Sequence, residues 1–139
     1  MHLLDTDTLT HLHAGHPRVL ERLRDVSDSD VGTTIVTKLK LLRGRIDFAL
    51  TAATGADLLR AQHLLIRTEE LLAQISVVLF NQAASEQFDR LRAARALRKI
   101  GRSDLLIASI ALAHRATLVT RNLRHFRPVP NLIVVNWVD

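Results

Sequence analysis

Five short runs of apolar or β-branched residues, separated by stretches with helical spacing, set the strongest limit on how this 139-residue chain can fold. They lie at 2–4 (HLL), 32–36 (GTTIV), 76–80 (SVVLF), 116–120 (ATLVT) and 132–135 (LIVV). Each run is continuous rather than alternating, the pattern of strands buried on both faces. Between them, apolar residues recur at helical intervals, as in Val19, Leu20 and Leu23 or Ala84, Phe88, Leu91 and Ala94. This alternation predicts an α/β fold, a central parallel five-stranded sheet with helices on both faces. Crossovers in such a sheet are right-handed, and ligands collect at the carboxyl ends of its strands.

The prolines, at 17, 128 and 130, leave the middle of the chain free to be helical. Asp7 or Thr8 is expected to cap a short helix through Leu12, and Pro17 suits the first turn of the next. Further helices are expected from 37 to about 44 and from about 47 to 73, the latter divided near Thr54 and Gly55. Another should run from 81 to about 99 and end at Gly101, with Ser103 capping its successor.

The length fits a single domain, 1–139. An apolar content of 47% excludes a disordered chain, and with 4% aromatics the core must rest on Leu, Val, Ile and Ala. No apolar run approaches the ~18–20 residues that cross a bilayer, and the start lacks the basic and apolar regions of a signal peptide. No cysteine is present, which excludes disulfides and thiolate metal sites. The expectation is a soluble, cytoplasmic protein without membrane contact. The formal charge of +5 comes from 16 Arg and 3 Lys. The guanidinium fork suits phosphate, although a GC-rich genome explains the same bias equally well.

Asp5 follows the first run, Lys40 sits in the first helical turn after the second, Asn122 follows the fourth, and Asp104 opens a helix just before the fourth. These four residues therefore share a plausible meeting place at one edge of the sheet. Clustered carboxylates need a cation to neutralise them, and a hard ion such as Mg²⁺ or Mn²⁺ takes oxygen donors. Such an ion lowers the pKa of water and stabilises charge on a phosphoryl oxygen.

The motifs around these residues resemble the PIN-like ribonucleases of the VapC toxin type, in order and spacing across essentially the whole chain. LLDTD at 3–7 is similar to the family's first-strand motif, and TTIVTKLKLLRG at 33–44 to a strand leading into Glu-Leu-x-x-Gly. GRSDLLIASIALAHRATLVTRNLRHF at 101–126 and PNLIVVNW at 130–137 resemble its third and last blocks. The resemblance implies a PIN-like fold and a metal-dependent endoribonuclease, the toxin of a type II toxin–antitoxin pair that hydrolyses tRNA or rRNA. By the same resemblance Asp5 and Asp104 bind Mg²⁺ or Mn²⁺, Asn122 supports the metal or its waters, and Thr120 fixes the loop by hydrogen bonding. Asp7, where many relatives carry Asn, is read as a helix cap rather than a supporting acid. The implied partners are a cognate antitoxin whose tail covers the site, an RNA substrate and a second copy in a homodimer. Operator DNA would be reached only through the antitoxin.

Position 40 departs from the pattern, with Lys where the motif has Glu. An ammonium cannot donate to a cation and brings charge of the wrong sign. It could instead take the cation's place and pair with Asp5 and Asp104. No acidic residue lies between Asp30 and Asp47 to replace the missing ligand. A natural degenerate copy and a deliberate Glu→Lys change both remain open as origins, and either implies impaired activity. The rival reading is a non-catalytic PIN scaffold that sequesters an antitoxin or RNA. A dinucleotide-binding domain of similar topology is excluded by the lack of a Gly-rich loop after the first strand.

Other features carry plainer expectations. His11, His13 and His16 are read as surface histidines, His125 as a structural loop residue and Trp137 as a core or interface plug. Arg92, Arg95, Arg98, Lys99 and Arg102 read as a solvated helix face, with an RNA-backbone track as the alternative. Arg121 and Arg124, flanking Asn122, are the better candidates for phosphate contacts. The leucines at 58, 59, 64, 65, 71 and 72 are more apolar than a small monomer needs and suit a dimer surface or a partner groove.

Overall fold

A computed structural model describes residues 1–26 and 30–139. The five runs form five parallel strands: β1 (His2–Leu4), β2 (Val31–Thr34), β3 (Ser76–Val78), β4 (Thr117–Val119) and β5 (Ile133–Val135). Their order in the sheet is β3-β2-β1-β4-β5, so β1 is central and the chain reverses its winding between β1 and β4. Leu4 pairs with Thr33 on one side and Val119 on the other, which puts Asp5 at this reversal point. Gly32 is required where β2 meets β3, because a Cβ there would lie 2.6 Å from the Ser76 carbonyl oxygen.

Seven α-helices lie among the described residues: α1 (Thr6–His13), α2 (Pro17–Arg24), α3 (Ile35–Leu50), α4 (Gly55–Ala73), α5 (Gln82–Ala93), α6 (Arg102–Ala113) and α7 (Leu123–Phe126). Successive strand residues feed opposite faces. Leu3 and Leu118 pack with Ile110, Ile107 and Leu91 under α5 and α6. Leu4 and Val119 pack with Leu9, Val19, Leu41 and Trp137 under α1, α2 and α3. The expected α/β architecture with helices on both faces is therefore the observed one, and Trp137 is a core plug, its ring 5.4 Å from that of His2.

Several boundaries differ from expectation. Ile35 and Val36 begin α3 instead of extending β2, because the Thr34 hydroxyl accepts from the Thr37 amide at 3.0 Å and turns the chain. That helix continues through Gly44 and Asp47 to Leu50, and the break falls at 51–54, where Thr54 caps α4. The stretch from 81 to 99 is not one helix: α5 stops at Ala93, and a 3₁₀ turn covers Arg95–Leu97. Gly101, not Ser103, is the N-cap of α6. Asp5, not Asp7, caps α1, while Asp7 sits in the first turn beside His11.

Candidate functional site

The site is built outward from the end of β1. The Asp5 amide donates to the Val119 carbonyl at 3.0 Å, which ties it to the neighbouring strand β4. Its Oδ1 accepts from the Thr8 amide at 2.9 Å. The carboxylate is thus oriented by the helix it caps and benefits from the positive end of the helix dipole. Beneath it the buried Thr8 hydroxyl donates to the same Val119 carbonyl, and the buried Thr33 hydroxyl donates to the Leu4 carbonyl at 2.7 Å. Paired buried hydroxyls of this kind fix backbone positions on both sides of the carboxylate.

At the end of β4, Thr120 is fully buried and its Oγ1 accepts from the Asn122 amide at 3.0 Å. This is the loop-fixing role expected of it. Asn122 itself is exposed, three residues past the strand end that flanks Asp5. From the same loop α7 brings His125 back toward α6, where His125 Nε2 lies 2.9 Å from Asp104 Oδ2. Both side chains are partly exposed, and Asp104 lies in the first turn of α6, where the helix dipole favours a negative charge. Three separate contacts thus hold the candidate residues: Asp5 to Val119, Asn122 to Thr120, and Asp104 to His125. Sequence reasoning gave His125 a structural loop role and missed its pairing with Asp104. The two residues come from separate elements, and no local spacing signals the contact.

Lys40 approaches from the other side. It lies in the second turn of α3, not the first, one turn beyond the inward-facing Val36 and the buried Thr37. It is nevertheless exposed, and among the described residues no ion pair within 4.0 Å joins it to Asp5 or Asp104. The internal pairing considered for Lys40 is therefore not formed, and His125 is the residue that partners Asp104.

Asp5, Asp104 and Asn122 offer oxygen donors only, the class that suits Mg²⁺ or Mn²⁺. Two carboxylates match what Mg²⁺ often takes from a protein when water and phosphate complete its shell. Thr6 Oγ1, directly after Asp5, is buried with no hydrogen-bond partner among the described residues, so the inner wall has unused polar capacity. Among those residues, however, no three His, Cys, Asp or Glu side chains gather into a metal-holding group. The donors fit such an ion in kind and fall one carboxylate short of the motif that the chain resembles.

The other expectations sort by contact. Arg121 is not free for phosphate: its guanidinium donates to both oxygens of Asp139, at 3.0 and 3.3 Å. Hydrogen bonds from Asn136 and Arg121 hold the Asp139 carboxyl below its ordinary value. The three N-terminal histidines have structural duties, since His16 caps α2 and His11 packs against it at 5.2 Å between rings. Burial, with Arg67 and Arg45 nearby, lowers the pKa of His13. Because the chain turns at Ala94, the basic residues from 92 to 102 do not form one helix face.

The sequence profile of the PIN domain family matches residues 2–131. Ribonuclease VapC2 of Rickettsia felis is 60% identical over 38 residues, 27% of this chain and 28% of that protein. The chain therefore aligns with less than a third of that curated relative. VapBC2 from Rickettsia felis, solved bound to a DNA fragment from its promoter, contains a chain similar at a TM-score of 0.78 and 25% identity, covering 98% of both. VapBC-1 from nontypeable Haemophilus influenzae is similar in fold at a TM-score of 0.80 and 21% identity, covering 99% of this chain and 98% of that one. DNA-bound VapBC from Salmonella typhimurium gives 0.78 and 24%, covering 98% and 97%.

Proposed function

This chain belongs to the PIN domain family, and we propose that it is the toxin half of a type II toxin–antitoxin pair, a metal-dependent endoribonuclease scaffold weakened by Lys40. The observation that supports this reading is that Asp5 and Asn122 follow the neighbouring central strands β1 and β4 at the winding reversal of a parallel sheet, with Asp104 held to the loop after β4 through His125. Asp5 and Asp104, helped by Asn122, would hold Mg²⁺ or Mn²⁺. When bound, such an ion supplies Lewis-acid stabilisation of a phosphoryl oxygen and lowers the pKa of a water. The chain's own residues perform the positioning. Asp5 is held by Thr8 and Val119, Asn122 by Thr120, and Asp104 by His125. An exposed ammonium at position 40 adds positive charge where the motif supplies a third carboxylate, and so opposes cation binding.

A proteinaceous antitoxin is the proposed partner, supported by likeness to chains solved within VapBC complexes. The apolar residues left exposed on α3 and α4, including Leu39, Ile46, Leu58 and Leu59, suit either that partner or a second copy in a homodimer. DNA contact is assigned to the antitoxin, and the substrate to tRNA or rRNA in the cytoplasm. Among the described residues no helix is long and apolar enough to cross a membrane.

That no three-residue metal group forms among the described residues favours one alternative, a non-catalytic module that sequesters RNA or an antitoxin. RNA cleavage by this chain and by Lys40→Glu, with Mg²⁺, Mn²⁺ or EDTA, separates the two. The Glu form should cut on the order of 100-fold faster, the scale of one well-placed electrostatic contact, and EDTA should abolish the gain. Two folded proteins that leave tRNA and rRNA intact would transfer the assignment to the binding module.

A further inference from the structure

Beside the Asp104–His125 pair lies a second feature, a cavity of about 310 Å³ between the segment 96–100 and α7. Ile100 and Pro128 contribute an apolar floor, Lys99 and Arg124 supply positive charge, and Asn122 and His125 form the wall shared with the carboxylate site. No acidic residue lines it. Among the described residues neither Lys99 nor Arg124 has an ion-pair partner within 4.0 Å, whereas Arg121, the other arginine beside Asn122, is occupied by Asp139. The cavity is at the small end of the ~300–1,000 Å³ range of ligand pockets, too small for a helix and suited to a compact ligand.

We propose that this cavity is a nucleotide subsite for single-stranded RNA, holding one unstacked base over Ile100 and Pro128 while Lys99 and Arg124 grip its phosphates. The inference rests on the ribonuclease reading above and adds the direction in which the strand leaves the carboxylates. Three properties favour this ligand. An unstacked base offers an apolar face, which single-strand binders bury. Two free cations match the flanking phosphates of one nucleotide. Because His125 both lines the cavity and pairs with Asp104, a nucleotide seated here would place a neighbouring phosphodiester toward the Asp104 carboxylate. A duplex cannot present a splayed base in this way.

The test is fluorescence anisotropy of a labelled single-stranded RNA 12-mer in EDTA, which prevents metal-dependent cleavage, across a salt series. Lys99→Ala and Arg124→Ala should each weaken binding about threefold to tenfold and flatten the slope of log affinity against log salt by ~0.7. Arg60→Ala, which removes an exposed arginine on α4 already paired with Asp57, should change neither. Equal losses in all three variants would mean a diffuse charge effect and overturn the subsite. Wild-type affinity and slope in both pocket variants would also overturn it, while leaving the ribonuclease reading intact. A wild-type chain that binds no RNA at low salt would remove both.

Discussion

The carboxyl ends of β1 and β4 and the second turn of α3 carry three of the four candidate site residues, Asp5, Asn122 and Lys40, but the fold holds them in different ways. Around Asp5 and Asn122 the supporting groups are buried: Thr8, Leu9, Thr33, Val119 and Thr120 are all fully shielded. Their hydroxyls are committed to backbone partners across neighbouring elements. Position 40 has no such commitments and lies in solvent. Asp5 is thus placed by the same interactions that hold the sheet together. The third position is placed only by the helix that carries it. On the proposed ribonuclease reading, such a site can lose function from one side while its fold stays intact.

The sharpest way to break that contrast is to damage the buried side. Leu9→Ala, at a site with no exposure, should cost about 2–5 kcal/mol, read as a lower urea midpoint. A loss under ~1 kcal/mol would mean the floor beneath Asp5 is looser than its burial implies. Next in size is Asp5→Ala, which removes the α1 cap and should cost about 1 kcal/mol. Asp5→Asn keeps an oxygen for the Thr8 amide and should recover most of that stability while removing the charge. If both substitutions destabilise equally, the carboxylate is held by something other than the cap. Lys40→Glu should shift stability by no more than ~0.5 kcal/mol, since exposed positions rarely exceed this. A larger change by chemical denaturation would show that α3 depends on this residue after all.

The smallest expected effect is pH dependence at His13, on the α1 side. Burial and the nearby Arg67 and Arg45 lower its folded pKa below the ordinary 6.5. Above 6.5 the histidine is neutral in both states and contributes no cost. As pH falls below that value the unfolded chain takes up a proton first, so stability declines toward the folded pKa. His13→Gln should flatten the fall in thermal midpoint between pH 7 and pH 5. An unchanged profile would assign that fall to other groups, such as His2, whose pKa burial also lowers.

What the sequence made legible follows the physics of each feature. All five strands were visible because doubly buried strands must be continuously apolar, and the positions of Asp5, just after the first run, and Thr120, at the end of the fourth, follow from those runs. Ile35 and Val36 misled because β-branched residues look the same in a strand and in a capped first turn, and only the Thr34 hydroxyl decides between them. Gly44 looked like a terminus, yet α3 continues through it, at a cost of about 1 kcal/mol relative to Ala that the helix bears. The site was harder to read. Arg121 seemed free for phosphate because Asp139 is 18 residues away, and the His125–Asp104 contact depends on how α7 is carried back over the start of α6.

The exposure of position 40 also has a genetic consequence. Lysine and glutamate codons differ by one transition at the first base, and the fold puts no packing or hydrogen-bonding barrier between them. A lineage carrying this gene would thus be one nucleotide from gaining or losing the third acid, in either direction, with the same folded scaffold before and after. If the proposed ribonuclease reading holds, selection on activity would act on that codon with little interference from selection on folding.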